Sequence, residues 1–272
     1  MIFKTLAQTS CAALMLCASP ALAGAPNGDV GPAVATGLAI PFPEIDRAEI
    51  AATPEPRLAV PGRGRMVLVD AADARLYMIE DGEVRDSMKV IVGKPTSETP
   101  ELRSTLYYAT LNPYWNVPVD LGRTLIAPNV LEQGMSYLRD RGYEVVTHFG
   151  KGAELIDPES IDWAAVAAGE VKVHVRQRPG PANSMGEIKF GIPGASGIYL
   201  HDTPRKALFE EADRSLSSGC IRLEDAERFA EWLLRDEVDL ERSRPEQHVA
   251  LPAGVPIVVA YLPGTQALAS LR

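Results

Sequence analysis

Short strand-like runs separated by turn residues dominate the chain from Met66 onward, and they limit the folds that it can form. The runs are rich in β-branched, aromatic and other apolar residues, and Gly, Pro, Asn or Asp residues interrupt them. The pair Asp81-Gly82 between two such runs is typical of a tight hairpin turn. The pattern predicts a mainly β fold with antiparallel strands. The runs are Met66 to Asp70, Arg75 to Ile79, Ser87 to Val92, Leu106 to Thr110, Val171 to Arg176, Gly186 to Phe190, Gly197 to His201 and Val255 to Tyr261.

The character of the sequence changes toward helix between Asp120 and Val175. Leu131 to Arg141 and Ser160 to Ala168 are predicted helices, the second with Ser160 as its N-cap. Because the strand pattern resumes afterwards, residues 120–175 are interpreted as an α-rich insertion that caps a cleft. Its apolar positions look sparse. The domain that contains it is predicted to span residues 65–265.

The first 23 residues have the pattern of a secretory signal peptide. Lys4 precedes the apolar run Cys11 to Ala18, and Ala21-Leu22-Ala23 forms a small-residue cleavage site. This predicts export by the Sec route to the periplasm, cleavage after Ala23 and no membrane span afterwards. A lipoprotein anchored at Cys17 is the weaker alternative, because Leu16 stands where a small residue is expected.

Residues 24–64 are rich in proline, alanine and glycine and show no apolar periodicity. Two interpretations remain open for them. The segment is a flexible tether, or it is a strap that lies across the domain surface with Phe42 and Ile45 as its apolar anchors.

Cys220 is the one cysteine left after the predicted cleavage, which removes Cys11 and Cys17. An unpaired thiol in an oxidising compartment favours a reactive role. The alternatives are a buried, inert cysteine or an intermolecular disulfide.

Charge and metal-ligand spacing exclude several function classes. The net charge is -9 and no basic run is long enough to follow a phosphate backbone, so a nucleic-acid partner is not expected. His148, His174 and His248 have no Cys or carboxylate neighbours at metal-ligand spacing. No metal and no cofactor are therefore predicted.

The stretch from Tyr199 to Leu234 contains the residues best suited to covalent chemistry. It holds His201, the pair Gly219-Cys220, and then apolar residues at helical spacing from Leu223 onward. The spacing predicts a helix that begins almost directly after the cysteine. A thiol at a helix N-terminus would have a lowered pKa, as a nucleophile requires.

Two motifs in this stretch, YLHDTP at 199–204 and SSGCIR at 217–222, resemble the active-site signature of the L,D-transpeptidases, the YkuD-domain family of bacterial cell-wall enzymes. Ser218 stands where the commoner signature has a second histidine, as is usual in the YcbB-like branch. The segments NPYWNVP at 112–118 and RPGPANSMGEIKF at 178–190 are also similar to that branch. The resemblance covers residues 65–261 and implies a YkuD-type antiparallel β sandwich. Long relatives carry a separate peptidoglycan-binding domain, for which this chain has no room.

The resemblance implies a role for four catalytic residues. Cys220 is the expected nucleophile and His201 the base that takes its proton. The backbone N–H groups of Gly219 and Cys220 are expected to face the developing oxyanion. Ser218 either assists the thiol or caps the following helix.

Four further residues are expected at the substrate. Arg222 is a candidate partner for a substrate carboxylate, although it could instead pair with Glu224 or Glu227. Tyr199 and Ser217 are expected to line the cleft. Trp115 has two interpretations that the sequence supports equally, as a wall of the cleft or as a core residue. Asp202 could orient the ring of the adjacent His201, but a structural role is favoured, because adjacent residues on a strand point to opposite faces.

The reaction that the resemblance implies joins two peptidoglycan stem peptides, one as donor and one as acceptor. Cys220 forms a thioester with the donor, and an amine of the acceptor resolves it in a cross-link of the 3-3 or 1-3 type. Such enzymes are carbapenem targets. Two alternatives stay open: a carboxypeptidase or amidase on the same scaffold, and a non-catalytic cell-wall-binding module.

Overall fold

The computed structural model describes residues 62–195, 197–239 and 244–262. The predicted signal peptide and the proposed anchors Phe42 and Ile45 lie outside these ranges. Within them, no helix is long and apolar enough to cross a membrane. The same ranges contain no group of three His, Cys, Asp or Glu side chains placed to hold a metal ion.

The described residues form thirteen strands and only short helices, which confirms the predicted mainly β fold. In chain order they are β1 (Arg65–Asp70), β2 (Arg75–Glu80), β3 (Glu83–Gly93), β4 (Leu102–Leu111), β5 (Trp115–Asn116), β6 (Tyr143–Val146), β7 (Leu155–Ile156), β8 (His174–Gln177), β9 (Ile188–Gly191), β10 (Tyr199–His201), β11 (Ser215–Ser217), β12 (Ile221–Leu223) and β13 (Gln247–Ala260).

Nine of these strands form the main sheet, in the order β11-β3-β12-β10-β9-β4-β13-β1-β2. The long strand β3 also pairs with β2, so the sheet closes on itself. The Asp81-Gly82 turn joins β2 to β3, as its sequence predicts. Most neighbours are antiparallel, but β1 with β13, β10 with β12 and β11 with β3 are parallel pairs.

The segment 115–177 has a sheet of its own, in the order β5-β8-β6-β7. Its helices are α1 (Val119–Leu121), α2 (Ala127–Gln133), α3 (Ser136–Asp140) and α4 (Trp163–Ala168), with a π-helical turn at Gly122–Ile126 and a 3-10 turn at Pro158–Ser160. Helix α4 begins later than predicted, because Asp162 rather than Ser160 caps it. The Asp162 carboxylate accepts the N–H groups of Ala164 and Ala165, both at 3.0 Å.

The expectation of sparse apolar positions in this segment is wrong, because the segment buries a core of its own. Helices and strands both contribute to that core, and Trp115 packs against it. The segment therefore has internal packing that does not depend on the main sheet. Its buried members are Val117, Ile126, Ala127, Val130, Tyr137, Leu138, Val145, Trp163, Val166, Val173 and Val175.

The main core lies inside the closed sheet and is covered by helix α5 (Ala226–Leu234). The Asp225 carboxylate caps α5 by accepting the Arg228 N–H at 3.0 Å. Phe229 on the buried face of α5 meets Phe190 of β9 edge to face, with ring centroids 4.9 Å apart. Such aromatic pairs add about 1 kcal/mol to the free energy of burial.

The predicted helix start directly after Cys220 is wrong. Ile221 and Leu223 are fully buried two residues apart and form strand β12, and α5 begins only at Ala226. The main-chain pairing continues past β12, since the Glu224 N–H donates to the Lys89 carbonyl at 3.3 Å. Cys220 therefore precedes a strand and not a helix.

Candidate active site

Two parallel strands, β10 and β12, bring His201 and Cys220 to one face of the main sheet. Leu200 and Ile221 are partners across the two strands, and both side chains belong to the core. Because side chains alternate along a strand, His201 and Cys220 lie on the opposite, outer face. His201 is the partner of Arg222, two residues beyond the thiol.

The loop that carries Cys220 is held by side-chain bonds to its backbone. The Ser217 hydroxyl accepts the Gly219 N–H at 3.1 Å and donates to the Cys220 carbonyl at 2.6 Å. Thr99, which is fully buried, donates to the Gly219 carbonyl at 2.9 Å. Gly219 has a φ of +110°, which residues with a Cβ rarely adopt. This network fixes the loop between β11 and β12.

Three predicted roles in this loop change as a result. Ser217 is 2% exposed and its hydroxyl bonds to the loop backbone, which favours a role in holding the loop over the predicted contact with a substrate. The Gly219 N–H is already donated to Ser217, which leaves Gly219 the role of permitting the turn. Ser218 is exposed and no helix follows it, so the idea that it caps one is wrong.

Burial raises the pKa of the Cys220 thiol above its ordinary value, against smaller lowering effects of the Tyr199 N–H and the Arg222 charge. The predicted lowering by a helix N-terminus does not occur, because β12 separates the thiol from α5. The sulfur contacts the Gly197 carbonyl at 3.4 Å, with the thiol as donor. At neutral pH the resting group is therefore the protonated thiol, which must lose its proton during a reaction.

His201 is 4% exposed, and its ring is held by the main chain. Nδ1 lies 2.5 Å from the Asp202 carbonyl oxygen. A carbonyl can only accept, so Nδ1 carries the proton and Nε2 is the basic nitrogen. Burial is the main cause that lowers the pKa of His201 to about 4, and the Arg222 charge adds to it. The ring is therefore neutral at pH 7 and able to accept a proton.

The lowered pKa of His201 predicts a loss of stability in acid. The pKa of His201 is about 6.5 in the unfolded chain and about 4 in the folded protein. Between these values the unfolded chain binds more protons, so the free energy of unfolding falls as pH drops from 6.5 to 4, by at most about 3 kcal/mol. Urea unfolding at several pH values measures this fall. It should be absent in His201→Gln, and an equal fall in both proteins would contradict the assignment.

Arg222 makes no ion pair with a described residue, although the sequence offered Glu224 and Glu227 as partners. Glu224 instead accepts the Lys89 N–H at 3.0 Å. Burial lowers the pKa of Arg222, and the charge of Arg205 lowers it further. Arg222 therefore lies near the thiol and Arg205 lies near Arg222, and neither guanidinium group forms an ion pair with a carboxylate of the described residues. Arg205 was not singled out from the sequence.

The two predicted aromatic residues lie in different surroundings. Tyr199 is half-buried on the outer face with His201, and the nearby Cys220 charge contributes to its raised pKa, after burial. Trp115 packs against the core of segment 115–177, where its ring centroid is 6.2 Å from that of Tyr143. Its alternative interpretation, as a core residue, fits this packing.

Sequence reasoning missed two residues that support the site. Lys189 of β9 is the partner of His201 across the strands, and its ammonium group binds Glu246 at 3.0 Å. Lys189 lies inside the segment at 178–190 that carries the resemblance, and that segment is the signal that could have identified it. Thr99 had no such signal, since it lies 120 residues from Gly219 in sequence.

The sequence profile of the L,D-transpeptidase catalytic domain, YkuD, matches residues 64–259. The chain belongs to this family. The matched range contains the whole main sheet up to Val259, segment 115–177, His201 on β10 and Cys220 directly before β12. The predicted family membership is thereby confirmed.

This L,D-transpeptidase family member is similar to the following relative and solved structures. A Haemophilus influenzae protein named "Putative L,D-transpeptidase" is 33% identical over 170 residues, which are 62% of this chain and 34% of that protein. The chain thus spans about a third of that relative's length. The structure of an L,D-transpeptidase from Mycobacterium smegmatis matches with 16% identity over 72% of this chain and 58% of that one, with a TM-score of 0.35. That of an Enterococcus faecium L,D-transpeptidase matches with 10% identity over 73% and 50%, with a TM-score of 0.30.

Proposed function

We propose that this protein cross-links peptidoglycan stem peptides through a thioester on Cys220. The observation that carries the proposal is the placement of a neutral, Nδ1-protonated His201 and a free thiol on the same face of two paired strands. General-base activation of a protonated thiol needs a basic nitrogen on the same side of the sheet, and Nε2 of His201 is such a nitrogen.

In the proposed reaction the Cys220 sulfur attacks a stem-peptide carbonyl while Nε2 of His201 takes the thiol proton. The tetrahedral intermediate collapses, its C–N bond breaks, and the leaving amine receives the proton from His201. The side-chain amine of a second stem then attacks the thioester. His201 takes the proton of that amine and returns it to the sulfur, so the free enzyme is restored.

The surroundings of the thiol suggest how a substrate is held. Because the Gly219 N–H is engaged by Ser217, we retain only the Cys220 N–H as an oxyanion donor from the predicted pair. Arg222, together with Arg205, is proposed to bind a carboxylate of the stem, since cations without ion pairs beside a nucleophile favour an anionic substrate. Tyr199 is proposed as a wall of the cleft.

The finer assignment is to the YcbB-like branch, on the strength of SSGC at 217–220 and the segments at 112–118 and 178–190. We also propose export by the Sec route and action in the periplasm, because residues 1–23 have the pattern of a signal peptide. The cross-link is of the 3-3 or the 1-3 type.

Incubation of the purified protein with tetrapeptide muropeptides tests the proposal. Mass spectrometry of the products should find cross-linked dimers. Mass spectrometry of the acyl-enzyme should find a mass increment on Cys220. Fragmentation of the dimers separates 3-3 from 1-3 links. Trimmed monomers without dimers would indicate a hydrolase, and failure of both muropeptides and a carbapenem to add to Cys220 would support a non-catalytic wall-binding module.

We propose that the insertion at 120–175 caps the substrate cleft. Val117 donates its N–H to the Val175 carbonyl at 2.9 Å, so a two-residue turn could join them and replace residues 118–174. The shortened protein should stay folded, because the insertion packs in a separate core. We expect unchanged acylation by a small carbapenem and at least ~10-fold weaker activity on stem peptides. Thermal unfolding is the control, and full activity on stems would contradict the capping role.

A further inference from the structure

Asp202 lies beside the His201 ring, at the corner where strands β10 and β12 end and strand β9 begins. Its N–H donates to the Ile188 carbonyl at 2.8 Å, and its carboxylate accepts the Glu187 N–H at 3.0 Å. These two bonds hold the residue whose carbonyl accepts the hydrogen bond from Nδ1 of His201. The position of the ring therefore depends on how firmly Asp202 is held.

The Asp202 side chain is closely surrounded. Gly186 has a φ of +63°, and a Cβ at that position would overlap the carboxylate. The loop before β9 can therefore pack directly on Asp202 only because residue 186 is glycine. The Asp202 side chain is 17% exposed, so its charge is poorly solvated and needs a partner.

Lys206 supplies that partner and connects it to the strand of the nucleophile. Its ammonium group lies 2.7 Å from the Asp202 carboxylate and donates to the Glu224 carbonyl at 2.8 Å. Glu224 directly follows β12, whose Arg222 is the strand partner of His201. One side chain thus links the end of the His201 strand to the end of the Cys220 strand.

We propose that the Asp202 and Lys206 side chains form a clamp that sets the position and protonation of the His201 ring relative to the Cys220 thiol. Both are positioning residues, since they act through His201. The proposal rests on the proposed function of His201 as the base.

The charged groups around His201 determine how its pKa should change when the clamp is lost. Asp202 raises the pKa of His201, while Arg222 on β12 lowers it. Lys189, its partner on β9, is neutralised by Glu246 at 3.0 Å. Removing the Lys206 charge leaves the Asp202 carboxylate uncompensated, so the imidazolium becomes easier to form. Removing the Asp202 charge has the opposite effect.

Long-range ¹H–¹⁵N spectra of the histidine rings test the clamp without any turnover. The chain has 4 histidines, and comparison with His201→Gln identifies the signal of His201. In Lys206→Met we expect its titration midpoint to rise by about 0.5 to 1 pH unit and part of the ring to change to the Nε2-protonated tautomer. Adding Asp202→Asn should reverse the rise, and Lys206→Arg should restore the wild-type spectrum.

A matched control is Glu80→Gln, which breaks the Arg235–Glu80 pair, also 2.7 Å long, on strand β2. Glu80→Gln should change the thermal stability about as much as Lys206→Met does, and it should leave the titration midpoint of His201 unchanged. Carbapenem acylation should be about 10-fold slower in Lys206→Met. The maximal rate should fall by more than the half-saturating carbapenem concentration changes. An unchanged midpoint and tautomer in a folded Lys206→Met protein would overturn the clamp. Because these signals are read without substrate, absence of cross-linking would instead count against the proposed function alone.

Discussion

Cys220→Ala is expected to lower cross-linking to the background rate and to leave the protein folded. No other cysteine occurs among the described residues, so the variant has no substitute nucleophile there. The substitution removes one half-buried sulfur and keeps the Cβ. The Ser217 bonds to the loop use backbone atoms of Gly219 and Cys220, which remain. The free energy of unfolding should change by no more than about 1 kcal/mol.

Three measurements together check this expectation: dimer formation from muropeptides, the mass of the protein after carbapenem treatment, and the thermal midpoint. Leu216→Ala is a suitable control, since Leu216 is an exposed residue of the neighbouring strand β11. It should form dimers at the wild-type rate. Wild-type turnover in the alanine variant of Cys220 would eliminate the thioester mechanism.

The sequence assigned His201 and Cys220 to one candidate site because two separated motifs both belong to one family signature. It also predicted the mainly β fold, since alternation and turn residues are local signals. The start of the helix was misplaced because Leu223 fits both periods. It is two residues from Ile221, as in a strand, and three from Ala226, as on a helix face. Only the pairing of β12 with β3 and β10 decides between them.

The electrostatic state of the site was not predictable from local sequence. Burial of the thiol depends on neighbours such as Gly197 and Tyr199, which are more than 20 residues away along the chain. The Glu224 partner, Lys89, is 135 residues distant, so the sequence alone left a nearby pairing of Glu224 with Arg222 open. Local helix reasoning therefore gave a thiol pKa shift of the wrong sign.

The protonation states of the Cys220 thiol and the His201 imidazole determine how removal of His201 should affect the reaction rate. The thiol pKa is raised and the imidazole pKa is about 4, so the resting pair is neutral over the physiological range. The wild-type rate then depends on transfer of the thiol proton to Nε2 as the bond to carbon forms. An enzyme without the ring must instead rely on the small fraction of thiolate that water releases.

His201→Ala is therefore expected to slow carbapenem acylation at pH 7 by ~10²- to 10⁴-fold. Its rate should rise about tenfold per pH unit up to the raised pKa of the thiol, because thiolate is the reacting form. The wild-type rate should depend far less on pH between 6 and 8. Stopped-flow acylation from pH 6 to 10 gives both profiles, and His201→Gln, which fills more of the buried space, separates the chemical loss from a packing defect. A variant that is equally slow at every pH would assign the ring a positioning role, since supplying thiolate would then fail to replace it.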